Sequence, residues 1–382
     1  MTPNTALSRM RGFSLIETMI GLLIGMVSVV IVLQVYARSD SAKRVSNSTD
    51  DAQMNALLAM HTLEREVRQA GLGLSAFTIL GCKLGYTSVS DGGTAQLTAL
   101  APVTINPDAT VVPAGDAGTD TLLILSGNSD GPSEGDPTVA DASTQALILA
   151  TSTSGYFTAG ERVIAALSTR PASCTLKLDT VRSVSATTLT LAQGTAFALP
   201  NDSLVYNLGA TPRLRAYAVR NGNLTVCDYL KHNCGDSRYT STLDSTVWVP
   251  VVSQIVGLRA QYARDTSGIS GSSSTMTGVV GTYDQLTPGS TADASTIPVY
   301  CKWVRIVGLR LAVVGRANHP DRSAPTTSST LNWSGSSDAP VSVSRLTNWA
   351  QYRYRLLESA APLRNIIWQG GQTTYQGGAG GC

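Results

Sequence analysis

Residues 18–37 form an uncharged run of twenty positions rich in Leu, Ile, Val and Met, and this run constrains the chain more than any other feature. At ~1.5 Å per residue, a helix of that length reaches ~30 Å, the thickness of a bilayer core. Arg9 and Arg11 precede the run with no acid before Gly12, which puts the N-terminal flank in the cytoplasm. A secretory signal has a shorter apolar run and a small-x-small cleavage site. Here Ser39-Asp40-Ser41 follows the run, so the span is expected to be kept.

The helical pattern continues past the span. Val45, Ala52, Ala56, Ala59, Leu63, Val67 and Ala70 recur at steps of three, four or seven, which places them on one face. Asp40 with Arg44 and Glu64 with Arg68 are i,i+4 pairs on the solvated sides. No Pro interrupts 13–70, and Gly71 with Gly73 supplies the stop. The spacing predicts one helix over 13–70, with a transmembrane half at 13–37 and an amphipathic half at 38–70.

Beyond residue 70 the period becomes two. Residues 121–126, 145–151, 175–184, 187–192, 213–220, 254–262 and 303–314 read as strands. Asn221-Gly222 is a two-residue hairpin turn. Segments rich in Ser, Thr, Gly and Pro near 265–298 and 316–343 read as long loops. The expected fold class is α+β, a long N-terminal helix packed on a large antiparallel β-rich head at 71–382. Whether that head is one unit or two is open.

Composition excludes several function classes. Charged residues make up 14% of the chain and the formal net charge is +2, so phosphate-driven nucleic-acid binding is not expected. The Arg305, Arg310, Arg316, Arg353, Arg355 and Arg364 enrichment reads as the outer face of strands. No phosphate-binding G-x-x-x-x-G-K-[ST] loop occurs. Gly127-Asn128-Ser129-Asp130-Gly131 matches the G-x-S-x-G nucleophile elbow, which needs a helix after it. Pro132, Gly135 and Pro137 oppose that helix, and the possible bases His232 and His319 lie in loop-like contexts. The segment therefore reads as a turn and the chain as a non-enzyme. No cofactor is expected; Asn128, Asp130, Glu134 and Asp136 could offer calcium oxygen ligands, but their spacing departs from an EF-hand.

Glu17 abuts the apolar run, where a carboxylate is costly and by default functional. The string Arg11-Gly12-Phe13-Ser14-Leu15-Ile16-Glu17-Thr18 resembles the type III signal of type IV pilins and type II secretion pseudopilins. Leu63-Glu64-Arg65-Glu66-Val67-Arg68-Gln69-Ala70-Gly71 is similar to the helix end of the PilW minor-pilin family, with Gly81-Cys82 after it. Val256-Gly257-Leu258-Arg259-Ala260-Gln261-Tyr262, the segment from Val304 to Val314, and Tyr354 through Asn365 also resemble that family.

The resemblance implies that 1–12 is a leader cut by prepilin peptidase between Gly12 and Phe13, and that Phe13 is then N-methylated. Cleavage would remove two bases and leave acids and bases equal in number. It implies that Glu17 is an assembly contact, while Gly21 and Gly25 form a G-x-x-x-G that lets helices approach closely. The implied protein is a minor pilin in a membrane priming complex with other minor pilins, major pilin and the inner-membrane assembly platform. It would be single-pass in the inner membrane, with a periplasmic head, and would end at or near the pilus tip, serving motility or adhesion. A tip adhesin and the large pseudopilin of type II secretion are the rival readings, with a membrane-anchored hydrolase more distant.

All six cysteines (Cys82, Cys174, Cys227, Cys234, Cys301 and Cys382) follow the span, and an even number in an oxidising compartment favours disulfides. Six allow 15 pairings. Only Cys227 with Cys234 is suggested, by closeness, and the rest stay open.

Overall fold

The computed structural model describes residues 12–74, 76–88, 94–131, 135–142, 145–150, 156–171, 173–239, 245–268, 276–293, 297–321 and 323–367. Its spine is one helix, α1 (Leu15–Gln69). It starts two residues later than its periodicity predicts because Ser14 has extended backbone, and it stops when Ala70 does the same. Gly71 and Gly73 take positive φ of 81° and 78°, a conformation open to glycine at little cost. The Gly71 amide then donates to the Leu125 carbonyl (2.8 Å), tying the helix end to the head.

Among the described residues the head has nineteen strands. In its first part these are β1 (Lys83–Thr87), β2 (Thr94–Leu97), β3 (Val103–Ile105), β4 (Leu122–Ser126), β5 (Asp136–Pro137), β6 (Ala146–Ile148) and β7 (Arg162–Ala166). Next come β8 (Thr175–Ser185), β9 (Thr188–Leu191), β10 (Leu204–Gly209), β11 (Arg213–Arg220), β12 (Asn223–Asp228) and β13 (Val249–Ser253). The last are β14 (Ile255–Arg264), β15 (Thr282–Asp284), β16 (Ile306–Arg316), β17 (Thr330–Leu331), β18 (Val341–Ser342) and β19 (Tyr354–Pro362), with a short helix α2 (Val299–Val304) before β16.

Three sheets carry the architecture. One runs β15-β14-β16-β19, a second β13-β12-β11-β4-β3, and the third β2-β1-β8-β7-β10-β5 with β9 and β6 continuing from β8. Pairing is antiparallel except between β1 and β8. The Asn221-Gly222 turn joins β11 to β12 with φ of 50° and 69°, as a type I′ hairpin requires. Asp116 fixes it by accepting from both turn amides at 2.9 Å.

Two expectations need correction. The strand expected at 303–314 begins at Ile306, because Pro298 and its preset φ open α2 and Trp303 falls on that helix. The segments expected as long loops contain β15 and the β17–β18 hairpin. β7 and β10 escaped the period-two reading because both faces of each are covered, leaving continuous buried runs instead of alternation.

The stripe on α1 does what its spacing implies: Ala52, Ala56, Ala59, Leu63, Val67 and Ala70 are buried against the head. Ala59, Leu63, Val67 and Ala70 share a core with Tyr262 and Leu309 of the first sheet, Tyr217 of the second and Trp303 of α2. At Gly315 of β16 an added Cβ would clash with the Ala52 carbonyl oxygen. Small residues on both surfaces let the helix backbone lie on the sheet.

That core makes the fold sensitive to alkali. Burial, followed for Tyr217 by the nearby Glu66 carboxylate, pushes the Tyr217 and Tyr262 phenols up to about 12. An unfolded tyrosine titrates near 10, so above that pH the unfolded chain releases protons that the folded core retains. Stability is therefore fully present below about pH 10 and lost as pH rises towards about 12, by up to ~1.4 kcal/mol per pH unit for each phenol. The melting temperature of the head is expected to fall across this window, and less steeply in Tyr217→Phe. A flat profile between those pH values would contradict the buried, protonated state.

Candidate assembly site

The first half of α1 is a rod that the other described residues do not cover. Leu15, Ile16, Met19, Leu22, Leu23 and Met26 are all exposed, as are the apolar residues that follow through Tyr36. The helix is long and apolar enough to cross a membrane. Two hydroxyls within it are satisfied locally: Thr18 and Ser28 donate to the Leu15 and Ile24 carbonyls, each at 2.8 Å.

Gly12 and Phe13 lie just before this rod in non-helical backbone, and Phe13 is 80% exposed. Residues 1–11, the rest of the expected leader, lie outside the described residues. Glu17 occupies the first helical turn, where a carboxylate favours the positive end of the helix dipole. Its amide donates to the Ser14 carbonyl (3.0 Å), and its side chain forms no hydrogen bond or ion pair among the described residues. Gly21 and Gly25 share one face, and an added Cβ at either would meet nothing within 4 Å. Glu17, Gly21 and Gly25 thus recur at steps of four on an apolar surface that has no partner among the described residues.

The head holds this rod through a contact that sequence reasoning missed. Glu66 is only 2% exposed on α1, beside the apolar stripe. Arg65, Arg213 and Arg215 approach its Oε1 at 3.6, 3.4 and 3.7 Å. Arg213 also donates to Gln69 Oε1 (2.7 Å). A carboxylate is buried here only because guanidinium groups from β11 surround it. The available signal was Glu66 on the edge of the stripe, one turn from Leu63, with Arg213 and Arg215 on the same face of a strand. The expected pairs Asp40–Arg44 and Glu64–Arg68 form at 3.0 and 2.7 Å on the outer sides.

Cys82 is bonded to Cys174 across 92 residues, and Cys227 to Cys234 across 7. The second pair is the one closeness suggests; nothing in the spacing points to the first. Cys301 is buried on α2, and Cys382 lies outside the described residues.

The motif residues weighed for catalysis and metal binding are dispersed or engaged. Ser129 Oγ accepts from the Gly131 amide (3.0 Å), closing a turn after β4. Asn128 Oδ1 accepts from the Thr211 amide and its Nδ2 donates to Thr211 Oγ1. Asp136 is buried on β5, and Glu134 lies outside the described residues. No group of three His, Cys, Asp or Glu residues suited to a metal occurs among the described residues. His232 lies in the small Cys227–Cys234 loop near Tyr239, and the His319 amide donates to Ser48 Oγ on α1. Of the C-terminal arginines, Arg310 stacks on Tyr283 and Trp333 while Arg316 stacks on Tyr352.

An apolar rod continued by a clamped amphipathic helix on a β-rich head defines an α+β protein built on one helix long and apolar enough to cross a membrane. Within it, residues 217–365 match the family model described as Type IV Pilus-assembly protein W, PilW. The match covers 149 of the 382 residues, all of them in the head, and makes that part of the chain similar to the PilW family. Comparison with curated proteins produced no match.

Proposed function

We propose that this protein is a minor pilin that joins other minor pilins in a membrane-embedded priming complex and initiates pilus assembly. The observation that carries this reading is the uncovered rod from Leu15 to Tyr36. A protein of this kind must bury that surface, first in lipid and then among the equivalent helices of neighbouring subunits. The bulk of the head favours a place at or near the pilus tip, since repetition along a shaft would crowd lateral neighbours. The long span, with bases before it, supports a cytoplasmic N-terminus and a head across the inner membrane.

Processing is the first check. The mature chain is expected to begin at N-methylated Phe13, measured by N-terminal mass spectrometry. A mature start near residue 40 would mean ordinary signal removal and would end this reading. Deletion of the gene should then yield cells without pili. Normally piliated cells that fail to adhere would indicate a tip adhesin instead.

A further inference from the structure

We propose that a cleft at the foot of the head seats the phosphate headgroup of an anionic phospholipid, an inference that rests on membrane anchoring through α1. The cleft, of about 600 Å³, lies between α1 and the head. Arg38, Val45 and Asp50 line its helix wall, and Asp321, Arg353 and Arg355 its head wall. Arg38 follows the last residue of the uncharged run. Headgroup layers add roughly 5–7 Å on each side of the hydrocarbon core, so Arg38 stands in that layer. The helix wall from Arg38 to Val45 rises only ~10 Å, which leaves the lower cleft open to lipid.

The charges within it are not equivalent. Arg353 is held by Asp321 at 2.9 Å, and Asp321 also accepts from the Ser323 amide and hydroxyl. That pair is internally balanced, as is Asp40 with Arg44 just above the span. Asp50 lies twelve residues beyond Arg38, roughly 18 Å along the helix. Arg38 and Arg355 remain. Neither side chain has a hydrogen bond or ion pair among the described residues, and both face the same space. Two guanidinium groups free to make paired N–H donations are the chemistry that recognises a phosphate oxygen pair. The apolar surface of the span directly below would run alongside the acyl chains, which a soluble phosphate lacks.

The test uses the full chain in mild detergent, with lipid retention read by native mass spectrometry. Each basic side chain at an anionic surface contributes about a fivefold preference. Phosphatidylglycerol should therefore be retained about 25-fold over phosphatidylcholine. Arg38→Gln and Arg355→Gln should each reduce the preference about fivefold, while Arg364→Gln, outside the cleft, should not. Equal retention of the two lipids would overturn the proposal, as would a preference that survives the double substitution. Displacement of phosphatidylglycerol by an equal concentration of glycerol 3-phosphate would reassign the site to a soluble anion and overturn it too. Stable insertion into pure phosphatidylcholine vesicles reports anchoring separately: a chain that inserts without lipid preference defeats this inference alone, and a chain that does not insert defeats the anchored reading itself.

Discussion

A Glu17→Val variant is expected to be cleaved and inserted normally, yet to recover partner minor pilins on the order of a hundredfold to a thousandfold less well and to leave cells with few pili. On the proposed reading, removal of residues 1–12 leaves Phe13 with an α-amino group, cationic at neutral pH, four residues before Glu17. Both groups enter an apolar environment when the subunit joins a helical core. Breaking a buried charge pair by removing one member costs about 3–5 kcal/mol, since the other charge stays buried without compensation. Within this chain the Glu17 carboxylate has no partner among the described residues, so its pairing group must come from its own terminus or from a neighbour. The neighbour alternative selects an axial register, because only one offset brings amine and carboxylate together. Valine removes that selection while making the span more apolar, so insertion should not suffer. Partner capture followed by mass spectrometry, with pili counted by electron microscopy, separates the alternatives. Unchanged capture and pilus number would show that Glu17 is a local cap on its own helix.

Removing the Cys82–Cys174 disulfide by paired serine substitutions should destabilise the head by about 4–5 kcal/mol, more than removing Cys227–Cys234. The bond spans 92 residues, and chain-entropy stabilisation grows with the length of the loop closed. Its position adds to this. β1 and β8 pair in parallel from Lys83 opposite Thr175, and the Lys83 amide donates to the Cys174 carbonyl (2.9 Å). The crosslink therefore pins the first residues of a parallel ladder whose strands are remote in sequence. The Cys227–Cys234 bond closes a far shorter loop and should contribute only about 2–3 kcal/mol. Thermal unfolding of the two paired-serine variants should show this order, with the Cys82–Cys174 variant melting on the order of 10 °C below the parent. Equal melting of the two variants would contradict the argument.

Local periodicity was enough to read the spine. An uncharged run, a one-sided stripe and two glycines specify where α1 is apolar all round, where it is one-sided and where it stops, because those properties depend on residues three or four apart. The hairpin at Asn221-Gly222 and the nearby Cys227–Cys234 pair are equally local. The same holds for the assembly residues Gly12, Phe13 and Glu17, whose resemblance rests on eight consecutive positions; their role in assembly is the proposal the Glu17 variant tests.

What required the tertiary structure is whatever joins distant parts of the chain. Burial of Glu66 depends on β11 bringing Arg213 and Arg215 to α1 across some 147 residues. The need for glycine at 315 is visible only once the Ala52 carbonyl lies against it. The Cys82–Cys174 pairing and the covered strands β7 and β10 belong to the same group, as do the facing arginines of the cleft. By itself the sequence determined the helix, its two surfaces and its stop, since each arises from neighbours along the chain. Only the folded head decided which surfaces meet and which charges are buried or left facing open space, because those depend on packing between segments with no local relation.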